Sequence, residues 1–172
     1  MLVTKVSFPI NTLFNPTENQ VHYSDCYQLE LPKGKCSEAE TLVRLFLSGF
    51  PVWIRGLFAL RNILVTPFGL STGEGTKLTV EEPLRKGSNI GIFEVLQLTE
   101  TEILLYANDK HLAAWLLFTI VGNEIKTLKA TTAVHFINRL GRIYFFIIKP
   151  FHKLIIRQLL QNLHKTLTLK TI

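Results

Sequence analysis

"RIYFFIIKPFHKLIIRQLL", residues 142–160, is the stretch on which the fold turns. It is apolar enough to suggest a membrane, basic enough to suggest nucleic acid, and carries Pro150 in its middle. A bilayer span needs about 20 consecutive apolar residues. Lys149, His152 and Lys153 interrupt this run, and the longest uninterrupted apolar run of the chain, Leu112–Phe118, is far shorter. At about 100° per residue, Ile147, Ile148, Phe151, Leu154 and Ile155 share one face, with Arg142, Lys149, Lys153 and Arg157 on the opposite side. The stretch therefore reads as an amphipathic helix over 139–164, N-capped by Asn138, with its apolar side on a sheet and its basic side in water. Pro150 removes the bond to the Phe146 carbonyl and is expected to kink the helix over a concave surface.

The sheet that such a helix would cover is legible upstream. "HYSDCYQLEL" (22–31) alternates, placing Val21, Tyr23, Asp25 and Tyr27 on one face, and reads as a strand stopped by Pro32. From Gly91 the pattern is a meander: "IFEVLQL", the turn "TET", "EILLYA", the turn "NDK", "HLAAWLLFTIV", a two-residue hairpin at Gly122-Asn123, then "IKTLKATTAVHFI". Between them, Ser37 with Glu40 three residues on forms a capping-box pattern for a helix at about 38–48. Pro51 suits the first turn of a second helix, "VWIRGLFALRNILV", which ends before Pro67. A Gly/Ser/Thr/Glu-rich connection over 69–90 has room for a short strand at "KLTV". Residues 1–20, with Pro9 and Pro16, read as an irregular arm. The expected fold is α+β in one domain over 1–172: a curved antiparallel sheet, two short helices and a long C-terminal lid helix.

Charge is unevenly spread. Residues 1–124 hold 10 Lys+Arg and 13 Asp+Glu, whereas residues 125–172 hold 9 Lys+Arg and no acid. The basic third implies either an anionic partner or a basic element packed beside an acidic one. Cys26 and Cys36 form no C-x-x-C pair and read as reduced thiols of a cytoplasmic protein. The N-terminus lacks the apolar core of a secretory signal.

Candidate chemistry is sparse. "GLSTGEGTK" (69–77) fails the P-loop spacing, since Glu74 stands where the second glycine belongs and Thr76-Lys77 is in the wrong order. Asp109 and His111 are the one closely spaced pair of metal-ligand types, short of the three or four ligands a zinc site needs. They read instead as a turn cap and its hydrogen-bonded neighbour. No metal and no cofactor are expected. The polar groups available for acid–base work are His111, Asn138, His152 and Arg61, with a structural role the blander alternative for each. Trp53, Phe58, Trp115 and Phe118 fit either a pocket lining or a plain core. Leu112, Ala114, Leu116, Phe118 and Ile120 form the more apolar face of their strand and are expected to point inward. On the following strand Leu128, Ala130, Thr132, Val134 and Phe136 share one face. The small side chains on these faces leave room where a packed core favours bulk.

Three blocks carry a family resemblance. They are "WIRGLFALRNILVTPFGL" (53–70), "EILLYANDKHLAAWLLF" (102–118) and "HFINRLGRIYFFIIKPFHKLIIRQLL" (135–160). Their marks are Trp53, Leu60-Arg61-Asn62 and Gly69-Leu70, then Asp109, His111 and Leu112, then Asn138, Leu140, Gly141, Arg142, Tyr144 and Pro150-Phe151-His152. The pattern resembles an uncharacterised domain-of-unknown-function family associated with the START-like (SRPBCC, Bet v 1-like) superfamily, over roughly residues 21–163. One departure is that the family's acidic residue after D-x-H-L is replaced by Ala113 and Ala114. The resemblance implies a helix-grip fold enclosing an apolar cavity between sheet and C-terminal helix. It also implies a small hydrophobic or amphipathic ligand (lipid, sterol or polyketide-like), lined here by Trp53, Leu112, Ala114, Leu116, Phe118, Thr132, Val134, Phe136, Ile147 and Phe151. Two alternatives stay open: an enzyme of the polyketide cyclase/dehydratase type using His111, Arg61 or His152, and peripheral contact with anionic membrane through the basic helix stripe. No nucleic-acid motif accompanies that stripe, so no nucleic-acid partner is expected.

Overall fold

Alternating apolar and polar residues along the meander build one antiparallel sheet, seen in a computed structural model that describes residues 2–9, 12–15, 20–34, 38–49 and 83–169. Seven strands make up the sheet among these residues: β1 (Val3–Val6), β2 (Tyr23–Glu30), β3 (Asn89–Ile90), β4 (Phe93–Leu98), β5 (Glu102–Asn108), β6 (Leu112–Val121) and β7 (Thr127–Phe136). Their spatial order is β1-β2-β7-β6-β5-β4-β3, every neighbouring pair antiparallel. Helix α1 (Ala39–Ser48) and the long helix α2 (Arg139–Leu169) are the helices among the described residues, and with the sheet they make an α+β fold. The helix expected at 52–65, the "KLTV" strand, Ser37, Cys36, Trp53, Phe58, Arg61 and the L-R-N and G-L marks lie outside the described residues.

The sheet has two different faces. Facing α1 and α2, Tyr27, Leu29, Val95, Ile103, Leu105, Leu116, Phe118, Ile120, Leu128 and Ala130 form one cluster with Leu42, Val43 and Phe46 of α1 and Ile156, Leu159, Leu160 and Leu163 of α2. Phe46 meets Phe118 edge-on with ring centroids 4.9 Å apart. The expected inward faces of β6 and β7 are therefore the observed ones. Each fully buried leucine there contributes about 1.5–3 kcal/mol relative to exposure.

The opposite face carries a second cluster of Leu104, Ala113, Trp115, Leu117 and Ala133, covered by Phe14 with Phe8 and Leu13 beside it. Trp115 thus belongs to the outer face, 5.3 Å from the Phe14 ring, and lines nothing beneath α2. The N-terminal arm is more ordered than its prolines suggest. Val3–Val6 pairs with Leu29–Cys26, and the Leu13 N–H donates to Glu102 Oε2 at 3.0 Å. Backbone pairing to an available edge and burial of Phe14 outweigh the local irregularity that the prolines announce.

Three boundaries differ from expectation. The β6–β7 hairpin spans residues 122–126 rather than two residues, because Val121 pairs with Thr127. Gly122 turns there at φ 94°, and a Cβ on it would lie 2.2 Å from the Ile125 carbonyl oxygen. The capping-box pattern involves Ser37, outside the described residues; Glu38 stands at the N-cap, where its carboxylate makes no capping bond and accepts the Thr41 hydroxyl at 3.3 Å. Glu40 Oε1 accepts the Leu84 N–H at 2.8 Å and pairs with Arg44 at 2.9 Å. Helix α2 runs on to Leu169 and stays continuous through Pro150. Both Phe146 and Pro150 are exposed, so the carbonyl that the proline leaves without a donor is open to water.

Candidate functional site

The start of α2 is locked to the β5–β6 turn. Asn138 Oδ1 accepts the Gly141 N–H at 3.0 Å, while its Nδ2 donates to the Lys110 carbonyl at 3.1 Å. Asp109 Oδ1 accepts the Lys110 N–H at 2.7 Å, and Asp109 Oδ2 stands 3.5 Å from His111 Nδ1. The buried His111 ring meets Tyr144 edge-on at 4.9 Å. Gly141 packs directly on this turn, where a Cβ would lie 1.9 Å from the His111 carbonyl oxygen. Two sequence blocks far apart in the chain, D-x-H-L and N-x-L-G-R-x-Y, thus form one latch. Asp109 caps the turn and His111 leans on it, which places this candidate in the wall of the fold.

Further along α2, His152 reaches the helix-facing side of the sheet. Its Nε2 stands 3.5 Å from Oδ1 of Asp25, an electrostatic approach rather than a hydrogen bond. The other carboxylate oxygen of Asp25 accepts the Tyr23 hydroxyl. Tyr23 packs against Phe145 at 4.7 Å, and the Lys149 Nζ lies over its ring at 4.9 Å. Asp25 is paired in register with Thr132 of β7, so the two side chains are neighbours on the same face. Asp25 Oδ1, Thr132 Oγ1 and His152 Nε2 are all buried and make no hydrogen bond within the described residues. Leaving such atoms unmatched costs about 1–3 kcal/mol each.

Burial pushes the Asp25 carboxyl up, but the contact with the His152 imidazole, the Tyr23 hydroxyl and the charge of Lys5 outweigh it and hold the group below its ordinary value. Tyr23 moves the other way: burial, then the bond to Asp25 and that carboxylate's charge, push its phenol well up. The pair therefore stays as carboxylate and neutral phenol at neutral pH. On the far side of β2, the buried Cys26 is a free thiol that accepts the Thr131 hydroxyl at 3.1 Å, and burial raises it above the usual thiol range.

The expected lining residues divide. Leu116, Phe118, Thr132 and Val134 are buried on the helix-facing side, and Leu112, Ala114 and Phe136 are half-buried on the same side. Phe118 is fully buried in the packed cluster. Ile147 and Phe151 require correction: they point away from the sheet, 61% and 46% exposed. The reason is rotational. Gly141, Phe145, Ile156, Leu159 and Leu163 set the buried stripe of α2, and at about 100° per residue Ile147 lies nearly opposite it. Leu154, also expected on the sheet, is exposed too. An open depression of about 440 Å³ lies against β1 and β2, lined by Leu2, Thr4, Gln28 and Glu30, whose alternation puts it on the face away from α2.

Sequence reading singled out His152 but missed Asp25 and Tyr23 as its partners. The signal was present in the alternation of β2, which placed Tyr23 and Asp25 on one face, with a carboxylate on the side that turned out to carry Tyr27 and Leu29 inward. Among the described residues no helix is long and apolar enough to cross a membrane. No curated protein and no solved structure matches the chain. The family described as "Protein of unknown function (DUF2867)" matches residues 18–159, which takes in β2, α1, the meander, the latch and the His152–Asp25 pair, and the chain belongs to that family.

Proposed function

We propose that this chain is a START-like binding module for a small ligand with an apolar body and a hydrogen-bonding head. The observation that carries the reading is the polar cluster of Asp25, Thr132 and His152, set beside Tyr23 in an otherwise apolar helix-facing surface. A binding site of this kind needs apolar walls and a few placed polar atoms. The half-buried Leu112, Ala114 and Phe136 supply apolar wall nearby, and Ala114 pairs with Val134 in the row next to Thr132. The head group follows from charge. Asp25 is held ionised, so its free oxygen calls for a donor, and a hydroxyl or amine suits it where a carboxylate would be repelled. A sterol, long-chain alcohol or phenolic polyketide meets this requirement better than a fatty acid.

Native mass spectrometry of the purified protein tests the reading. The expected result is a co-purifying apolar molecule bearing a hydroxyl or amine, displaced when Thr132→Phe fills the site. A clean apo spectrum, with no thermal shift from sterols, long-chain alcohols or phenols, would sink it.

The His152–Asp25 approach with the Tyr23 phenol also favours a second reading, proton transfer on such a ligand, as in the cyclase/dehydratase alternative. Of the catalytic candidates among the described residues, His152 stands beside the buried Asp25 carboxylate, whereas His111 stands beside the half-buried Asp109 within the latch. Turnover of a bound phenolic or polyketide-like ligand that survives His152→Ala would remove that reading while leaving binding intact.

A further inference from the structure

The buried stripe of α2 leaves a second apolar stripe in water. Ile143, Phe146, Ile147, Phe151 and Leu154 are all exposed, Phe146 by 79%. At about 100° per residue they fall within an arc of about 140°, and over residues 143–154 they run about 16 Å along the helix. Arg142, Lys149 and Lys153 flank one edge of this stripe, and Arg139 and Arg157 bracket its two ends. Of these, Arg139, Arg142 and Arg157 are exposed, and Lys149 and Lys153 are half-buried. No acidic residue occurs anywhere in residues 125–172.

We infer that this face of α2 seats on an anionic lipid surface, with Phe146 and Ile147 entering the headgroup–acyl boundary and Arg139, Arg142, Lys153 and Arg157 meeting lipid phosphates. An interfacial helix combines these features: a continuous apolar face, aromatic and branched side chains, and an adjoining basic edge. A second copy of the chain fits poorly, because pairing two such faces brings two acid-free basic edges together. A nucleic acid would use the basic edge and leave the apolar stripe in water. The inference is independent of any ligand beneath the helix, since it uses the opposite side of α2.

Co-sedimentation with phosphatidylcholine vesicles, with and without 30 mol% phosphatidylglycerol (about a third of the lipid, enough for a strongly negative surface), tests it. Binding is expected to be at least about tenfold stronger to the anionic vesicles and to weaken with added salt. Phe146→Glu and Ile147→Glu, at exposed positions, should each lower it about tenfold with the fold retained by circular dichroism. Arg142→Glu combined with Arg157→Glu should abolish the preference for anionic lipid. Equal binding to both vesicles, or anionic binding indifferent to Phe146→Glu, overturns the proposal. So does a dimer in sedimentation velocity that Phe146→Glu dissociates, which would assign the face to a second copy. A photo-crosslinker on Ile147→Cys that couples to residues 51–66 of the same chain would likewise overturn it, by giving the face to that segment.

Discussion

The two halves of α2 are equally apolar to the eye and do opposite things. From Ile156 to Leu167 the apolar side chains are buried against α1 and the sheet: Ile156, Leu159, Leu160, Leu163 and Leu167 are at most 5% exposed. From Gly141 to Leu154 most of the apolar side chains face solvent, while Gly141, Phe145 and His152 face the sheet. The difference lies in what the helix meets. The second half lies on an apolar floor of Leu29, Leu128 and Phe118. The first half crosses Tyr23, Asp25 and the latch, where a small residue, an aromatic ring and an imidazole fit and a row of leucines would not. Apolar content therefore reports stability in one half and surface in the other.

That comparison can be broken most sharply at the latch. Gly141→Val would force a side chain onto the His111 carbonyl. It is expected to destabilise by about 4 kcal/mol, near the top of what single substitutions do, read by chemical denaturation. Leu160→Ala in the second half should cost about 2–5 kcal/mol by leaving a cavity in a fully buried cluster. A loss below about 1 kcal/mol there would mean that the second half is not the anchor.

Asp25 offers an intermediate effect with a pH signature. Its folded pKa is depressed, so its contribution is complete above the unfolded value of about 4 and is lost as pH falls through the lower folded value. Asp25→Asn should therefore flatten the acid limb of the stability–pH curve. Tyr23, raised in the fold, works in the other direction: its contribution is complete below about pH 10 and is lost as pH rises through the folded value. Tyr23→Phe should flatten the alkaline limb. The smallest effect belongs to the exposed half. Phe146→Ser should change unfolding free energy by no more than about 0.5 kcal/mol, and a larger loss would show that this stripe is packed in solution.

Much of the architecture was legible because its signals are local and periodic. The alternation of β2, β6 and β7 gave both the strands and the face that turns inward, and the Asn138 cap placed the start of α2. The His152 flank of the helix was also readable from spacing. Its partnership was not, since Asp25 lies far upstream and meets His152 only when α2 crosses β2. The N-terminal strand was missed for a related reason: Val3–Val6 carries little pattern of its own and is a strand because β2 offers it an edge.

By itself, the sequence determined the α+β class, the antiparallel meander, the long basic amphipathic helix and the family marks that fall in the β5–β6 turn and the start of α2. These follow from periodicity, capping and turn chemistry, which act over a few residues. Only the tertiary structure decided the rotation of α2, because a helix with apolar residues on more than one side has several faces it could bury. The close approach of Gly141 to the His111 carbonyl and the fit of Phe145 and His152 over Tyr23 and Asp25 select one. That choice turns Ile147 and Phe151 outward and brings the buried carboxylate, hydroxyl and imidazole together, through contacts between residues that no local pattern relates.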